Sequence, residues 1–439
     1  MKLTFLLGSG VSIPAGFPSV GDITDAVLSG DGIIDCADGE VVEKREEGGK
    51  RLILLAWLKA QALSRYSEIP ERSVNYEDLA NLAGQIADDI GYEYENPAVH
   101  PFVCKALTEL EGLFRNGTAA DSREMLRILA ETTVDYIRRV VVRMLVAPKP
   151  AESETRYLQF FVDACQEDGV ERIDLFSLNH DTLIERFLRT QLDQTKFSVV
   201  DGLCDTISDG GSRHWDPKVY DAQLGNGRRV NIFKMHGTVG WMTWAPVGAT
   251  QHKQFAGRFI GTYQHKTDTA PIYQKVEEPL ILVGTFNKIL RYNSQPFLEL
   301  HHRFMRALEE KESTTLIVCG YGFGDQGVNI RIVEWLHRAP NNRLLIIDPE
   351  ETEMIHNKAR GGVRHVTNVM LNQDATFENQ NPTPLDEYAH ENWLGPFRFT
   401  KHLQRTFGKR PKGNIPELAW EEVRRRITGS DAMFMASED

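Results

Sequence analysis

The chain has 439 residues, of which 41% are hydrophobic and 26% charged, a balance typical of a globular protein with one large domain or two ordinary ones. Its formal net charge of −12 argues against a protein that coats nucleic acid or an anionic membrane through bulk charge. No apolar stretch approaches the roughly 18 residues that a membrane-spanning helix needs, so we expect no membrane contact. From the acidic charge we also expect no direct sequence-specific binding of nucleic acid.

The chain begins with the short apolar run MKLTFLL, which is followed by Gly8-Ser9-Gly10. A signal peptide needs a longer apolar region and a cleavage site of small residues. We therefore expect residues 2–7 to form a buried first strand and the protein to be cytoplasmic. Because the five cysteines are far apart and form no CxxC pair, neither a cysteine zinc site nor a disulfide framework is expected.

A helical insertion is expected between about residues 35 and 165, after the first strand and its turn. Apolar residues recur there at helical spacing, and the pattern predicts helices over residues 51–63, 77–89 and 121–146. The last of these should end before Pro148, since proline cannot continue a helix.

Short apolar runs that end in Gly, Asn or Asp predict buried parallel strands. They cover Leu3–Leu7, Ile173–Ser177, Leu280–Val283, Thr315–Cys319 and Arg343–Ile347. The expected fold is α/β: a Rossmann-like, doubly wound parallel sheet with the helical insertion, a helical C-terminal region and no zinc module. One domain would span residues 1–350, and residues 351–439 would form a loop and a helix (416–427) that contact an oligomer or a partner.

The turn after the first strand has the composition of a phosphate-binding loop. A strand that runs into Gly8-Ser9-Gly10 lets the backbone approach a pyrophosphate, with N–H groups directed at the anion. The GxGxxG fingerprint is absent because position 13 is Ile, so this turn alone is weak evidence.

Polar residues also follow the later apolar runs. They are Asn179 and Asp181 in LFSLNHD, His236 in NIFKMHG, Gly320 and Tyr321 in LIVCGYGFGD, and Asp348 in LLIIDPE. Because ligands of open α/β sheets bind at the carboxyl ends of the strands, we expect these residues to converge on one edge.

This combination resembles the sirtuin family of NAD-binding domains. The family's Gly-Ala-Gly-x-Ser and Ala-Gly-hydrophobic-Pro motifs are similar to residues 8–12 and 15–18, its Asn-x-Asp to residues 179–181, its His-Gly to residues 236–237 and its ribose turn to residues 320–323. The motifs occur in the family's order and cover residues 1–30 and about 170–350.

Departures from the family pattern favour one of its branches. The four-cysteine zinc module cannot be built, Leu178 replaces the family Gln, and residues 19–22 replace Asp-Phe-Arg. These features resemble the bacterial antiphage branch, whose sirtuin-like domains hydrolyse NAD to nicotinamide and ADP-ribose. The resemblance also implies homo-oligomers and a HerA-type ATPase as a possible partner, with no metal.

The resemblance implies a role for each motif. Asn179 would position the ribose hydroxyls and the attacking water, and His236 would act as the general base. The first glycine turn would hold the pyrophosphate. Asp181 would orient the loop of Asn179 or bind a hydroxyl group, and Asp348 would accept hydrogen bonds from the adenosine ribose hydroxyls. The implied NAD-contacting residues are Gly8, Ser9, Gly10, Ser12, Asp181, Gly320, Tyr321 and Asp348.

Structural roles remain open for most of these residues. Asn179 or Asp181 could cap the following helix, His236 and Asp348 could be ordinary turn residues, and Asp325 could be a helix N-cap or a ribose ligand. Two other functions also remain: an NAD-dependent protein deacylase and a non-catalytic NAD-binding scaffold.

Overall fold

The computed structural model describes residues 1–30, 45–66, 73–93, 96–114, 119–204, 213–222, 227–246, 259–262, 273–275, 279–284, 292–310, 315–339, 342–347 and 424. The chain divides into two compact units. The sheet unit comprises residues 1–16, 149–280 and 294–439, and the helical unit comprises residues 17–148 and 281–293.

The strands described in the sheet unit form a parallel and an antiparallel sheet. They are β1 (Lys2–Leu7), β2 (Arg172–Ser177), β3 (Phe197–Val200), β4 (Leu203–Cys204), β5 (Arg213–Trp215), β6 (Arg228–Lys234), β7 (Met242–Pro246), β8 (Phe259–Thr262), β9 (Tyr273–Lys275), β10 (Thr315–Cys319) and β11 (Arg343–Ile347). The six-stranded parallel sheet has the order β11–β10–β1–β2–β6–β3, and the five-stranded antiparallel sheet has the order β4–β5–β8–β7–β9.

Helices make up most of the remaining described structure. They are α1 (Val20–Ser29), α2 (Arg45–Tyr66), α3 (Tyr76–Gly91), α4 (His100–Glu109), α5 (Ala119–Val146), α6 (Glu152–Thr155), α7 (Gln159–Gln166), α8 (Leu183–Gln191), α9 (Phe297–Glu309) and α10 (Gln326–Arg338). Among the described residues, no helix is both long and apolar enough to cross a membrane.

Helices cover both faces of the parallel sheet. Successive side chains of a strand point to opposite faces, and in β1 the Phe5 ring packs edge-on against Phe160 and Phe161 of α7. Its neighbour Leu6 lies in a second cluster, together with residues of α9 and α10 such as Phe304 and Trp335. This is the α/β, Rossmann-like sheet that the apolar strands predict.

The helical unit is built around α3 and α5. Its core consists of buried aliphatic residues that recur at helical spacing, among them Leu79, Ile86, Leu126 and Ile137. Capping boxes begin α1, at Ser19 and Asp22, and α3, at Asn75 and Asp78.

The three predicted helices lie within α2, α3 and α5. The unit differs at both ends from the predicted insertion (35–165), because α1 belongs to it while α6 and α7 belong to the sheet unit.

The predicted strands at β1, β2, β10 and β11 are confirmed, but the one at Leu280–Val283 is wrong. Leu280 donates its N–H to the Trp241 carbonyl and accepts from the Thr238 N–H, so it bonds to a loop rather than to the parallel sheet. The place next to β2 is taken by β6, which is not among the predicted strands, although its apolar Ile232 and Phe233 precede the predicted edge residue His236.

The C-terminal prediction lies almost wholly outside the described residues. Of residues 351–439 only Arg424 is described, and its Nη1 lies 3.3 Å from Glu167 Oε1.

The direction in which successive strands are added to the parallel sheet reverses at β1. From β1 the chain adds β2, β3 and β6 on one side, and it then returns to place β10 and β11 on the other. Open α/β sheets bind ligands at such a switch point, outside the carboxyl ends of the strands. The turns after β1 and β10 are therefore the expected centre of a site.

These two turns touch backbone to backbone. Gly8 and Gly10 donate their N–H groups to the carbonyls of Cys319 and Gly320, both at 2.9 Å. A Cβ at Gly320, whose φ is +58°, would lie 2.6 Å from the carbonyl carbon of Gly10 and the nitrogen of Val11, and one at Gly8 would lie 2.4 Å from the Gly320 oxygen. The contact thus requires glycine on both sides.

Gly320→Ala should therefore lower the free energy of unfolding by about 2–4 kcal/mol, because two backbone segments must move apart and a left-handed φ must be kept. Gly322→Ala is the matched control, since nothing lies within 4 Å of a Cβ built there, and we expect a change of less than about 1 kcal/mol. Urea unfolding measures both values. Equal effects would show that the two turns do not need the close contact.

Candidate functional site

The loops that follow four adjacent strands form the candidate site. β10, β1, β2 and β6 are successive neighbours in the parallel sheet, and the register pairs Leu7 with both Ser177 and Cys319, and Ser177 with Lys234. The strands therefore end at the same level. Gly320, Gly8, Asn179 and His236 follow them, so the structure places these predicted residues along one edge.

The two glycine turns are hydrogen-bonded to each other, so not all of their N–H groups point outward. The N–H groups of Gly8 and Gly10 are used by carbonyls of the opposite turn, and that of Ser12 donates to the Ser9 carbonyl. The expectation of free N–H groups directed at an anion is corrected at these three positions. Ser9 is exposed, so its side chain lies on the outer surface of the turn.

Asn179 is anchored by its amide nitrogen. Nδ2 donates to the Gly8 carbonyl at 2.9 Å and to Ser12 Oγ at 3.1 Å. Since a carbonyl oxygen can only accept, the Gly8 contact fixes which end of the carboxamide is nitrogen. Asn179 is 8% exposed, and its Oδ1 is buried with no hydrogen-bond partner among the described residues.

A hydrogen-bond relay holds this orientation. Ser12 Oγ donates its one hydrogen to Asp181 Oδ2 at 2.8 Å, and it can therefore only accept from Asn179. Asp181 Oδ1 accepts from the Leu183 N–H at 2.9 Å, at the start of α8. Both oxygens of Asp181 and the hydroxyl of Ser12 are thus engaged within the protein, and together they aim the carboxamide of Asn179.

A buried ion pair that the sequence analysis missed lies beneath this loop. Lys234, the last residue of β6, donates from Nζ to the Asp181 carbonyl at 2.6 Å and pairs with Glu185 of α8 at 3.0 Å. Lys234 is 1% exposed. Burial raises the pKa of Glu185, against the opposing effect of the Lys234 charge. A lysine inside the apolar run NIFKM is the sequence signal that could have indicated it.

His236 faces a carboxylate. Its Nε2 lies 3.1 Å from Asp325 Oδ2; His236 is buried and Asp325 is partly buried. Asp325 is the N-cap of α10, where its Oδ1 accepts from the N–H groups of Gly327 and Val328. The N-cap interpretation of Asp325 is confirmed, and its second oxygen has a role at His236 that the spacing of the motifs did not predict.

Two further histidines surround this pair. The ring centroid of His180 lies 6.1 Å from that of His236. Burial, and secondarily the neighbouring His236, lowers the pKa of His301 to about 3, while Asp325 opposes the shift. His301 is therefore neutral at physiological pH. Among the described residues no group of His, Cys, Asp and Glu is arranged to hold a metal ion.

Tyr321 braces the loop between β10 and α10. Its hydroxyl accepts from the Asp325 N–H at 3.0 Å and donates to Asn329 Oδ1 at 2.9 Å. Asn329 in turn donates to the Phe323 carbonyl. Tyr321, a predicted ligand residue, thus holds Asp325 in place through its hydroxyl group. The other predicted ligand residue that follows a strand, Asp348, lies outside the described residues.

No protein-family model matches the chain, and a search of curated proteins finds no significant match.

Acid should weaken the fold through His301. The unfolded chain binds a proton near pH 6.5, whereas the folded protein does so only near pH 3. The free energy of unfolding therefore falls as the pH drops through this window, by up to about 1.4 kcal/mol per pH unit from this one group. His301→Gln should make that decline shallower, as measured by urea unfolding at several pH values. His302→Gln, at an exposed neighbour on α9, should leave it unchanged, and parallel slopes for all three proteins would contradict this account.

Proposed function

We propose that the chain hydrolyses NAD at the bond between nicotinamide and its ribose. The observation that carries the proposal is the buried Oδ1 of Asn179, which has no partner among the described residues and lies at the strand edge that also holds His236. The motifs that resemble the sirtuin family supply the choice of NAD. In the role that this resemblance implies, turnover lowers the NAD pool of a bacterial cell under viral attack.

The proposed reaction needs little acid catalysis. In NAD the nicotinamide ring is a pyridinium cation. When the C1′–N bond breaks, its electrons go to nicotinamide, which leaves neutral, and an oxocarbenium-like sugar remains. Water adds to C1′, one proton is released, and ADP-ribose forms. The protein must therefore orient the ribose and the water and accept that proton.

Asn179 fits the orienting task. A carboxamide oxygen accepts hydrogen bonds only, so Oδ1 would hold a ribose hydroxyl or the attacking water. Its orientation is fixed before any ligand arrives, by Gly8 on one side and by the Ser12–Asp181 relay on the other. Such preorganisation lowers the entropic cost of bringing water and sugar together.

His236 fits the task of accepting the proton. An imidazole has an unperturbed pKa of about 6.5, close to neutral pH, which suits a general base. The carboxylate of Asp325 lies beside the ring and would stabilise the positive charge that the ring gains. The pyrophosphate would lie against the exposed Ser9, since the N–H groups of Gly8 and Gly10 are already used.

An NAD turnover assay tests the proposal, with nicotinamide and ADP-ribose separated by chromatography. We expect the wild type to release both from NAD and water alone, and Asn179→Ala and His236→Ala to lose at least about 100-fold in rate while remaining folded. His302→Ala and Asn293→Ala, at exposed positions, are the controls and should retain full activity.

Each other outcome counts against the proposal. Release that requires an acyl-lysine peptide would favour the deacylase. NAD binding without release would favour the scaffold. Equal rates in the wild type and both site variants would remove Asn179 and His236 from the reaction.

A further inference from the structure

We infer that Asp325 is the positioning residue of His236: its Oδ2 fixes the ring and its tautomer and stabilises the charge that the ring gains when it accepts a proton. The inference rests on the proposed function, since it assigns a partner to the proposed general base. It concerns a residue outside the motifs from which the function is proposed.

The contact has the geometry of a base and the group that orients it. Nε2 of His236 lies 3.1 Å from Oδ2 of Asp325, at side chains that are 4% and 10% exposed. A carboxylate only accepts, so the ring hydrogen on this side belongs to Nε2. A neutral imidazole carries one such hydrogen, and any further proton must therefore enter at Nδ1.

Asp325 is itself held in place by its neighbours. Its Oδ1 accepts from Gly327 and Val328, its N–H donates to the Tyr321 hydroxyl, and its carbonyl lies 3.2 Å from that same hydroxyl. The carboxylate also lies at the N-terminus of the thirteen-residue helix α10, where the helix dipole favours a negative charge. The group that faces His236 is thus a carboxylate fixed in position.

Capping alone does not account for this arrangement. The helix N-terminus uses Oδ1, and both of its N–H donors go to that atom. Oδ2 serves His236 instead. A serine or an asparagine at this position can still cap α10 through its one side-chain oxygen, so the two roles can be separated by substitution.

Two substitutions separate them. Asp325→Ser keeps a capping oxygen and removes the group that faces the ring. Asp325→Asn keeps the shape but places an amide donor opposite Nε2, which forces the hydrogen onto Nδ1. For both variants we expect kcat for NAD to fall at least about 100-fold, with KM within about 3-fold of the wild-type value. The urea midpoint of unfolding should stay close to the wild-type value, because the cap remains.

A double-mutant cycle shows whether the effect passes through His236. Adding Asp325→Asn to His236→Ala should cost nothing further in kcat, since the residue it acts on is already gone. A full additional loss in the double variant would overturn the inference, as would wild-type kcat in both Asp325 variants. In the second case a loss in His236→Ala alone would leave the proposed function standing.

The tautomer provides a readout without catalysis. In protein labelled with ¹⁵N-histidine, a long-range ¹H–¹⁵N correlation spectrum, assigned with the His236→Ala variant, should show His236 with its hydrogen on Nε2. In Asp325→Asn it should show the hydrogen on Nδ1. An unchanged spectrum would overturn the inference whether or not the wild type cleaves NAD.

Discussion

The backbone contact between the two glycine turns is the constraint on which the rest of the site depends. It joins the end of β1 to the end of β10 through hydrogen bonds from Gly8 and Gly10, with no room for a side chain between them. The carbonyl of Gly8, held in this way, is what anchors the amide of Asn179. On the other side, the loop that begins at Gly320 leads directly to Asp325, the partner of His236.

Most polar groups at this edge bond within the protein, whereas Asn179 Oδ1 has no hydrogen-bond partner among the described residues. Ser12 donates to Asp181, and Lys234 donates to the Asp181 carbonyl. Asp325 accepts from the N-terminus of α10 through Oδ1 and contacts the His236 imidazole through Oδ2. A buried hydrogen-bond acceptor that has no partner lowers the stability of the folded state. The Oδ1 of Asn179 is such an acceptor, and the hydrogen bonds from Nδ2 to the Gly8 carbonyl and to Ser12 Oγ keep it in this position.

Sequence patterns predicted that these polar residues meet at one edge of the sheet, but not which of them contact one another. Apolar runs that end in polar residues mark the carboxyl ends of parallel strands, and the sheet brings those ends together. The same patterns placed His236 at this edge after an apolar run but did not include that run, β6, among the strands. Its polar Asn231 donates to Asp174 in the core rather than facing water. They also missed Asp325 at His236, because that contact depends on where α10 begins relative to β6, which no local pattern encodes. The hydrogen bonds of the Gly8 and Gly10 N–H groups could not be predicted for a similar reason, since the carbonyls that accept them lie at the end of β10, far along the chain.

The central claim is that Asn179 Oδ1 is an acceptor held ready for a hydroxyl or water of the ligand. A crystal structure of the His236→Ala variant, grown with NAD so that turnover is suppressed, tests it most directly. The account predicts a dinucleotide at the carboxyl edge of β1, with a ribose hydroxyl or an ordered water within hydrogen-bond distance of Oδ1. A structure at saturating NAD with the edge empty, or with Oδ1 bonded to another protein group, would contradict it.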